Sequence, residues 1–180
     1  MRLILVRHSI SAVDVSVPPS QWPLSDPGVE AVGGLARTLA DREISDIVSS
    51  AEPKAAGTAR ELARLLDRGW STASGLHEHE RERMDWYGDE VWHAQLRKFF
   101  DNPDDVVFGL ESARQTLDRF SAAVDNVLRE VDGNDGPVVI VSHGTVMSLF
   151  IARQQGVDPY SIWRALKMPD YVELNYSPSN

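Results

Sequence analysis

The chain has 180 residues, enough for one hydrophobic core, and its 42% hydrophobic and 25% charged content is ordinary for a soluble globular protein. A net charge of -9 argues against a nucleic-acid-binding surface or a patch for anionic membranes, yet leaves room for a phosphorylated small molecule held by a few local cations. The absence of cysteine excludes a disulfide framework, a zinc ribbon and a thiol nucleophile. No run approaches the ~20 apolar residues of a membrane span, and Met1 leads into an apolar run without a signal-peptide pattern. The expectation is a cytoplasmic protein with a single domain over residues 1–180, binding neither nucleic acid nor membrane.

Arg2-Leu3-Ile4-Leu5-Val6-Arg7-His8-Ser9 opens the chain. Four consecutive large apolar residues predict a strand buried on both faces. Arg7 and His8 then fall at its carboxyl end, where open α/β sheets bind ligands. Ser9 to Leu24 is a long irregular segment, since Pro18, Pro19 and Pro23 bar a helix. Ser25-Asp26-Pro27 reads as a capped helix start, with Val32, Leu35, Ala36 and Leu39 at helical spacing. Asp46 to Ser50 predicts a short strand. Pro53 opens a helix with Ala55, Ala59, Leu62, Ala63 and Leu66 on one face, and Trp70 to Leu76 suggests a third strand.

Residues 77–109 are the least periodic and read as a lid-like insert with a helix near Val91 to Phe100. Ala113, Leu117, Phe120, Val124, Val127, Leu128 and Val131 form one helical stripe. Gly133-Asn134-Asp135-Gly136 is a turn. Val138 to Val141 is a second buried strand, ending in Ser142-His143-Gly144, and a helix leaves it over Thr145 to Gln155. Tyr171 to Tyr176 suits a strand near a sheet edge, where a second copy of the chain could pair to form a homodimer. Strands alternating with helices predict an α/β fold with a mainly parallel sheet.

Two strands that each stop at a histidine would place His8 and His143 on one rim. A cation beside an imidazole lowers its pKa, so Arg7 would help keep His8 neutral, as a nucleophile requires. Gly144 permits close backbone approach, and the helix that starts there offers N–H groups to an anion. Lys54, in the first turn of its helix, falls on the same rim. Glu78, within His77-Glu78-His79-Glu80, has three readings: part of a metal site, a general acid whose pKa a nearby phosphate raises, or an exposed charge.

These segments together resemble the histidine phosphatase superfamily, the phosphoglycerate-mutase-like proteins. Leu5-Val6-Arg7-His8-Ser9 is similar to the family's Leu-Val-Arg-His-Gly, and Val141-Ser142-His143-Gly144 to its Val-Ser-His-Gly. Weaker likenesses lie between them, in order. Pro23 to Gly28 resembles Pro-Leu-Thr-x-x-Gly, and Ser49 to Ala59 resembles Ser-Ser-x-x-x-Arg-Ala-x-x-Thr-Ala. Leu76-His77-Glu78 resembles Leu-x-Glu, and Leu110-Glu111-Ser112 resembles Gly-Glu-Ser.

The resemblance implies a three-layer α/β/α, phosphoglycerate-mutase-like fold and a phosphomonoesterase with no metal or other cofactor. His8 would form a phosphohistidine, with Glu78 as acid and base and His143 donating a hydrogen bond to the phosphoryl group. Arg7, Lys54, Ser11 and Gly144 would bind the phosphate of a small phosphorylated substrate. Three positions depart from the pattern: Lys54 replaces an arginine, Ser9 a glycine, and Asp14 an asparagine. The alternatives are a mutase, for which the chain is short, and a non-catalytic phosphate or phosphoprotein binder. Trp86, Tyr87, Trp92 and His93 are the candidates for substrate selection.

Overall fold

Leu3 to Val6 are buried because both faces of their strand are covered. The computed structural model describes residues 1–81, 88–131 and 136–178. Five strands, β1 (Arg2–Arg7), β2 (Asp46–Ser49), β3 (Ser71–Thr72), β4 (Val138–Ser142) and β5 (Asp170–Asn175), form one sheet in the order β3-β2-β4-β1-β5. β1, β2, β3 and β4 are mutually parallel, and β5 runs antiparallel along β1 at the edge. Among the described residues six α-helices accompany them, α1 (Asp26–Leu39), α2 (Pro53–Leu66), α3 (Asp89–Asp101), α4 (Ala113–Glu130), α5 (Gly144–Gln155) and α6 (Pro159–Ala165), and the proline-rich segment forms one turn of 3-10 helix over Pro19–Gln21.

Side chains alternate across a strand, so the two faces of the sheet build two cores. Ile4, Val6, Ile47, Val139 and Val141 pack against α1 and α2 through Val32, Leu39, Ala59 and Leu62. Leu3, Leu5, Val138 and Ile140 pack against α4 and α5 through Phe120, Val124, Val146 and Phe150. This is the expected three-layer arrangement. A third cluster, Leu96, Phe99 and Phe100 of α3 with Ala113 and Leu149, attaches the insert to the α4–α5 side.

The helix ends follow the local chemistry. Ser25 Oγ accepts from Gly28 N at 3.1 Å, with Pro27 in the first turn of α1. Ser112 and Gln115 form a reciprocal capping box at the start of α4. The third strand is far shorter than expected, because Gly75, at φ +82°, turns the chain away and Leu76 drops into the core. Helix α6 was not anticipated, although its start carries a capping Asp158 followed by Pro159. Trp86, Tyr87 and most of the predicted 133–136 turn lie outside the described residues. No described helix is long and apolar enough to cross a membrane.

Phe150 is fully buried, with ring contacts to Phe120 at 5.6 Å and Tyr176 at 5.1 Å between centroids. Truncation there leaves a cavity between α4, α5 and the sheet. Phe150→Ala is expected to lower unfolding free energy by roughly 3–5 kcal/mol, read from urea unfolding. A loss below about 1 kcal/mol would show that this core collapses around the gap.

Candidate active site

The parallel register sets Arg7 opposite Ser142, so the next residue of each strand, His8 and His143, leaves the sheet side by side. His8 N donates to Ser142 O at 2.9 Å, and the two imidazole centroids lie 5.2 Å apart. His8 Nδ1 is 2.7 Å from the Ser9 carbonyl. A carbonyl only accepts, so Nδ1 carries the proton and Nε2 keeps its lone pair. Burial pushes the His8 imidazole down to about 3, helped by His143 and then by Lys54 and Arg7. Burial, more than the adjacent arginine, therefore keeps it neutral. His143 is fully buried and is likewise held down to about 3, chiefly by burial. Its Nε2 pairs with Ser50 Oγ at 2.9 Å.

Arg7 lies flat against the start of α5. A Cβ on Gly144 would come within 3.1 Å of the guanidinium, so glycine is what allows this approach. Arg7 Nη1 donates to Leu166 O at 2.7 Å, while Nε is buried with no hydrogen-bond partner among the described residues. Lys54 is buried and already engaged. Its Nζ donates to Pro19 O at 2.6 Å and to Glu52 Oε2 at 2.5 Å. Glu52 Oε1 accepts Glu78 N at 2.9 Å and stands 3.6 Å from His143 Nε2. The sequence reading missed this carboxylate, because an acid just before Pro53 looks like a simple helix cap.

Glu78 comes to the rim, and in the free protein it is held as a carboxylate. Its carboxylate caps α5, accepting Thr145 N at 3.1 Å and Val146 N at 3.2 Å, and it also accepts His79 N at 2.9 Å. Burial pushes its pKa up, but Arg81, His143 and these N–H groups outweigh that and hold it well below the usual carboxylate range. Two N–H groups of the α5 start, those of Thr145 and Val146, therefore serve Glu78, while Gly144 lines the cleft. A clamp fixes the segment that carries it. Arg119 donates to the carbonyls of Gly75, His77 and Glu78 at 2.8, 3.0 and 3.2 Å, and pairs with Glu111 at 2.5 Å. Glu111 Oε1 in turn accepts Glu80 N at 2.9 Å.

Ser9 lies outside the left-handed region. Its hydroxyl donates to Gly28 O at 2.7 Å and its N–H to Thr58 Oγ1 at 3.0 Å, so it anchors the strand tip to α1 and α2. Asp14 is folded onto Ser16 N and Oγ at 2.9 and 2.6 Å, away from the rim. His77 pairs with Glu80 at 3.1 Å. His79 is buried between Phe99 and Phe108, with Nε2 on Glu111 O at 3.0 Å. The two rings thus serve separate partners, and no group of three or more candidate metal ligands gathers among the described residues.

A cleft of about 760 Å³ opens on this rim. Arg7, His8, Ser11, Lys54, Glu78 and Gly144 all line it, as do Glu52 and Arg81. Trp22, Trp92 and Trp163 form its apolar walls. His93 is turned to Tyr160, at 3.2 Å, and does not line the cleft.

The family model of the histidine phosphatase superfamily (branch 1) matches residues 3–178. No curated protein matches the chain. Among solved structures, a mycobacterial glucosyl-3-phosphoglycerate phosphatase is 22% identical with a TM-score of 0.73, covering 96% of this chain and 88% of that one. YhfR of Bacillus stearothermophilus is 19% identical with a TM-score of 0.69, covering 90% and 83%. A phosphoserine phosphatase of Entamoeba histolytica, in complex with 3-phosphoglyceric acid, is 17% identical with a TM-score of 0.65, covering 98% and 97%. At these identities the likeness concerns the fold.

The buried imidazoles give the stability a pH dependence. His8 and His143 titrate near 3 in the folded chain and near 6.5 when free, so between those values the unfolded chain binds more protons. Stability is full above about pH 6.5 and falls as pH drops toward 3, and Glu78, held low, adds to the loss in acid. The urea midpoint should fall between about pH 7 and pH 5, and His8→Asn should flatten that fall. An unchanged slope in the variant would mean that His8 is not held neutral by the fold.

Proposed function

Because the chain belongs to the histidine phosphatase superfamily, we propose that it is a phosphomonoesterase that hydrolyses a small phosphorylated molecule through a phosphohistidine on His8. The observation that carries this reading is the state of His8. Its Nδ1–H is committed to the Ser9 carbonyl, and its ring stays neutral. Nε2 therefore keeps its lone pair in a side chain that lines the cleft.

The Nε2 lone pair attacks phosphorus, and the ester P–O bond breaks. Arg7 balances charge on the phosphoryl oxygens, and His143 exchanges its Ser50 contact for a hydrogen bond to one of them. Glu78 supplies the proton to the leaving oxygen. In the free protein Glu78 is a carboxylate; a bound phosphoryl dianion opposes that ionisation and lets it take up a proton. In the second step a water attacks phosphorus, Glu78 accepts its proton, and the N–P bond breaks to release phosphate.

The cleft fits a small substrate whose alcohol has apolar surface, since Trp22, Trp92 and Trp163 line the walls above the polar floor.

An aryl phosphate assayed with a chelator tests the reading. Phosphate release that survives chelation and disappears in His8→Ala is expected, together with an acid-labile phosphoenzyme in wild type. Phosphate binding without any turnover would overturn the enzyme reading and favour a non-catalytic binder. Transfer to an acceptor alcohol faster than to water would favour a mutase.

Glu78→Gln separates the acid role. An aryl leaving group departs without help, whereas an alkoxide needs a proton. The variant should lose roughly a hundredfold or more in kcat with an alkyl phosphate, and clearly less in the burst of phenol from an aryl phosphate. Equal losses in both would show that Glu78 acts only by holding the start of α5.

A further inference from the structure

A bound phosphoryl dianion needs more positive charge than Arg7 alone provides, and sequence position points to Lys54 for the rest. The geometry points elsewhere. Lys54 Nζ is spent on Glu52 Oε2 at 2.5 Å and on Pro19 O at 2.6 Å, with both charged side chains largely buried. A phosphoryl oxygen at Lys54 would have to compete with the Glu52 carboxylate for the ammonium. That carboxylate is itself fixed by Glu78 N at 2.9 Å.

Arg81 presents the opposite case. It lines the cleft, and its guanidinium carbon lies 4.7 Å over the Trp92 ring. Its Nη1 is buried with no hydrogen-bond partner among the described residues. Stacking on tryptophan uses one face of the guanidinium and leaves the N–H edge free. Arg81 is near enough for its charge to act on Glu78, His143 and Arg7. Its charge helps hold Glu78 ionised, but no hydrogen bond or ion pair joins the two among the described residues, and the oxygens of Glu78 accept from three backbone N–H groups instead. Arg7 also keeps a buried, unpartnered Nε–H. Two like charges beside one cleft, each with an unpaired buried donor, are favourable neighbours once an anion sits between them.

We propose that Arg81, rather than Lys54, supplies the second positive charge that grips the phosphoryl group, and that Glu52 keeps Lys54 out of that role. The proposal rests on the phosphatase reading for the identity of the bound group. It assigns a binding role to a residue of the lid-like segment, three positions after Glu78.

Calorimetric titration with inorganic phosphate tests it directly, with thermal melting to confirm that each variant is folded. Arg81→Gln should weaken phosphate binding tenfold or more. Arg81→Lys, which keeps the charge and loses the fork, should recover part of the loss, a rescue that a merely structural role would not show. Glu52→Gln should tighten binding several-fold by releasing Lys54.

Wild-type affinity in Arg81→Gln would overturn the proposal. So would a loss seen only with a phosphomonoester that also carries a carboxylate, since Arg81 would then read a second anion. Equal losses in the glutamine and lysine variants, both folded, would likewise overturn it. Turnover measured in parallel keeps the two readings apart. Phosphate binding without turnover removes the phosphatase reading and leaves Arg81 to be judged on binding. No phosphate binding by wild type removes both.

Discussion

The parallel register of β1 on β4 is the constraint from which the rest of the site follows. Leu3 and Leu5 must face α4 and α5, while Ile4 and Val6 must face α1 and α2. A slip of one residue would send each set to the wrong core. With the register fixed, Arg7 is opposite Ser142, and the two histidines leave the sheet together. β2 lies on the other side of β4, and Ser50, one residue past its end, donates its N–H to Val141 O at 3.0 Å and meets His143 through its hydroxyl. Ser142 Oγ reaches Leu76 O at 2.8 Å, which brings the chain leading to Glu78 onto the same rim. Packing thus sets the chemistry by placing four segments, distant in sequence, at one edge.

Burial of that edge decides its charge states. Two imidazoles removed from water stay neutral, because the charged form would lose its solvation without gaining a strong partner. Glu78 takes the opposite course and is held ionised because Arg81 and backbone N–H groups stand in for water, and each carboxyl group at the rim has hydrogen-bond partners within the protein. Glu78 has the start of α5, and Glu52 has Lys54 and Glu78 N. The free protein therefore satisfies part of its anion-binding capacity with its own side chains. Any incoming anion competes with these internal partners, and the donors without one carry the greatest advantage.

The strand tips and the two histidines were readable in the sequence because buried parallel strands have a simple signature and His8 and His143 directly end two of them. Helices α1, α2, α4 and α5 were readable from their apolar stripes and capping residues. What escaped depends on pairings that sequence order does not encode. Nothing local says that Glu52 turns to Lys54, that Arg119 clamps residues 75 to 80 from α4, or that Glu78 caps a helix 67 residues away. Arg81 stayed hidden because the charged run around it reads as a solvated loop, and its meaning comes from the Trp92 ring beneath it. Helix α6, seven residues long, gives too short a periodic pattern to stand out.

Lys54 and Ser9 depart from the family pattern, and each finds its use in the same place. The proline-rich segment after β1 lines the cleft with little regular structure of its own beyond one turn of 3-10 helix over Pro19–Gln21. It is tied down at several points: Ala12 N to Pro23 O at 2.9 Å, Ser25 N to Ile10 O at 3.0 Å, and the single bridge between Ser11 and Leu24. Lys54 adds a tie from α2 to Pro19 O, which a compact ammonium with three donors can make while also pairing with Glu52. Ser9 adds ties from the tip to Gly28 and Thr58. Close contact is needed there, since a Cβ on Gly28 would fall 2.1 Å from Ile10 O. Both side chains therefore fasten the ends of this wall of the cleft, Lys54 at Pro19 and Ser9 at the helices behind the strand tip, before any ligand arrives. A wall held that way costs less ordering when a substrate binds.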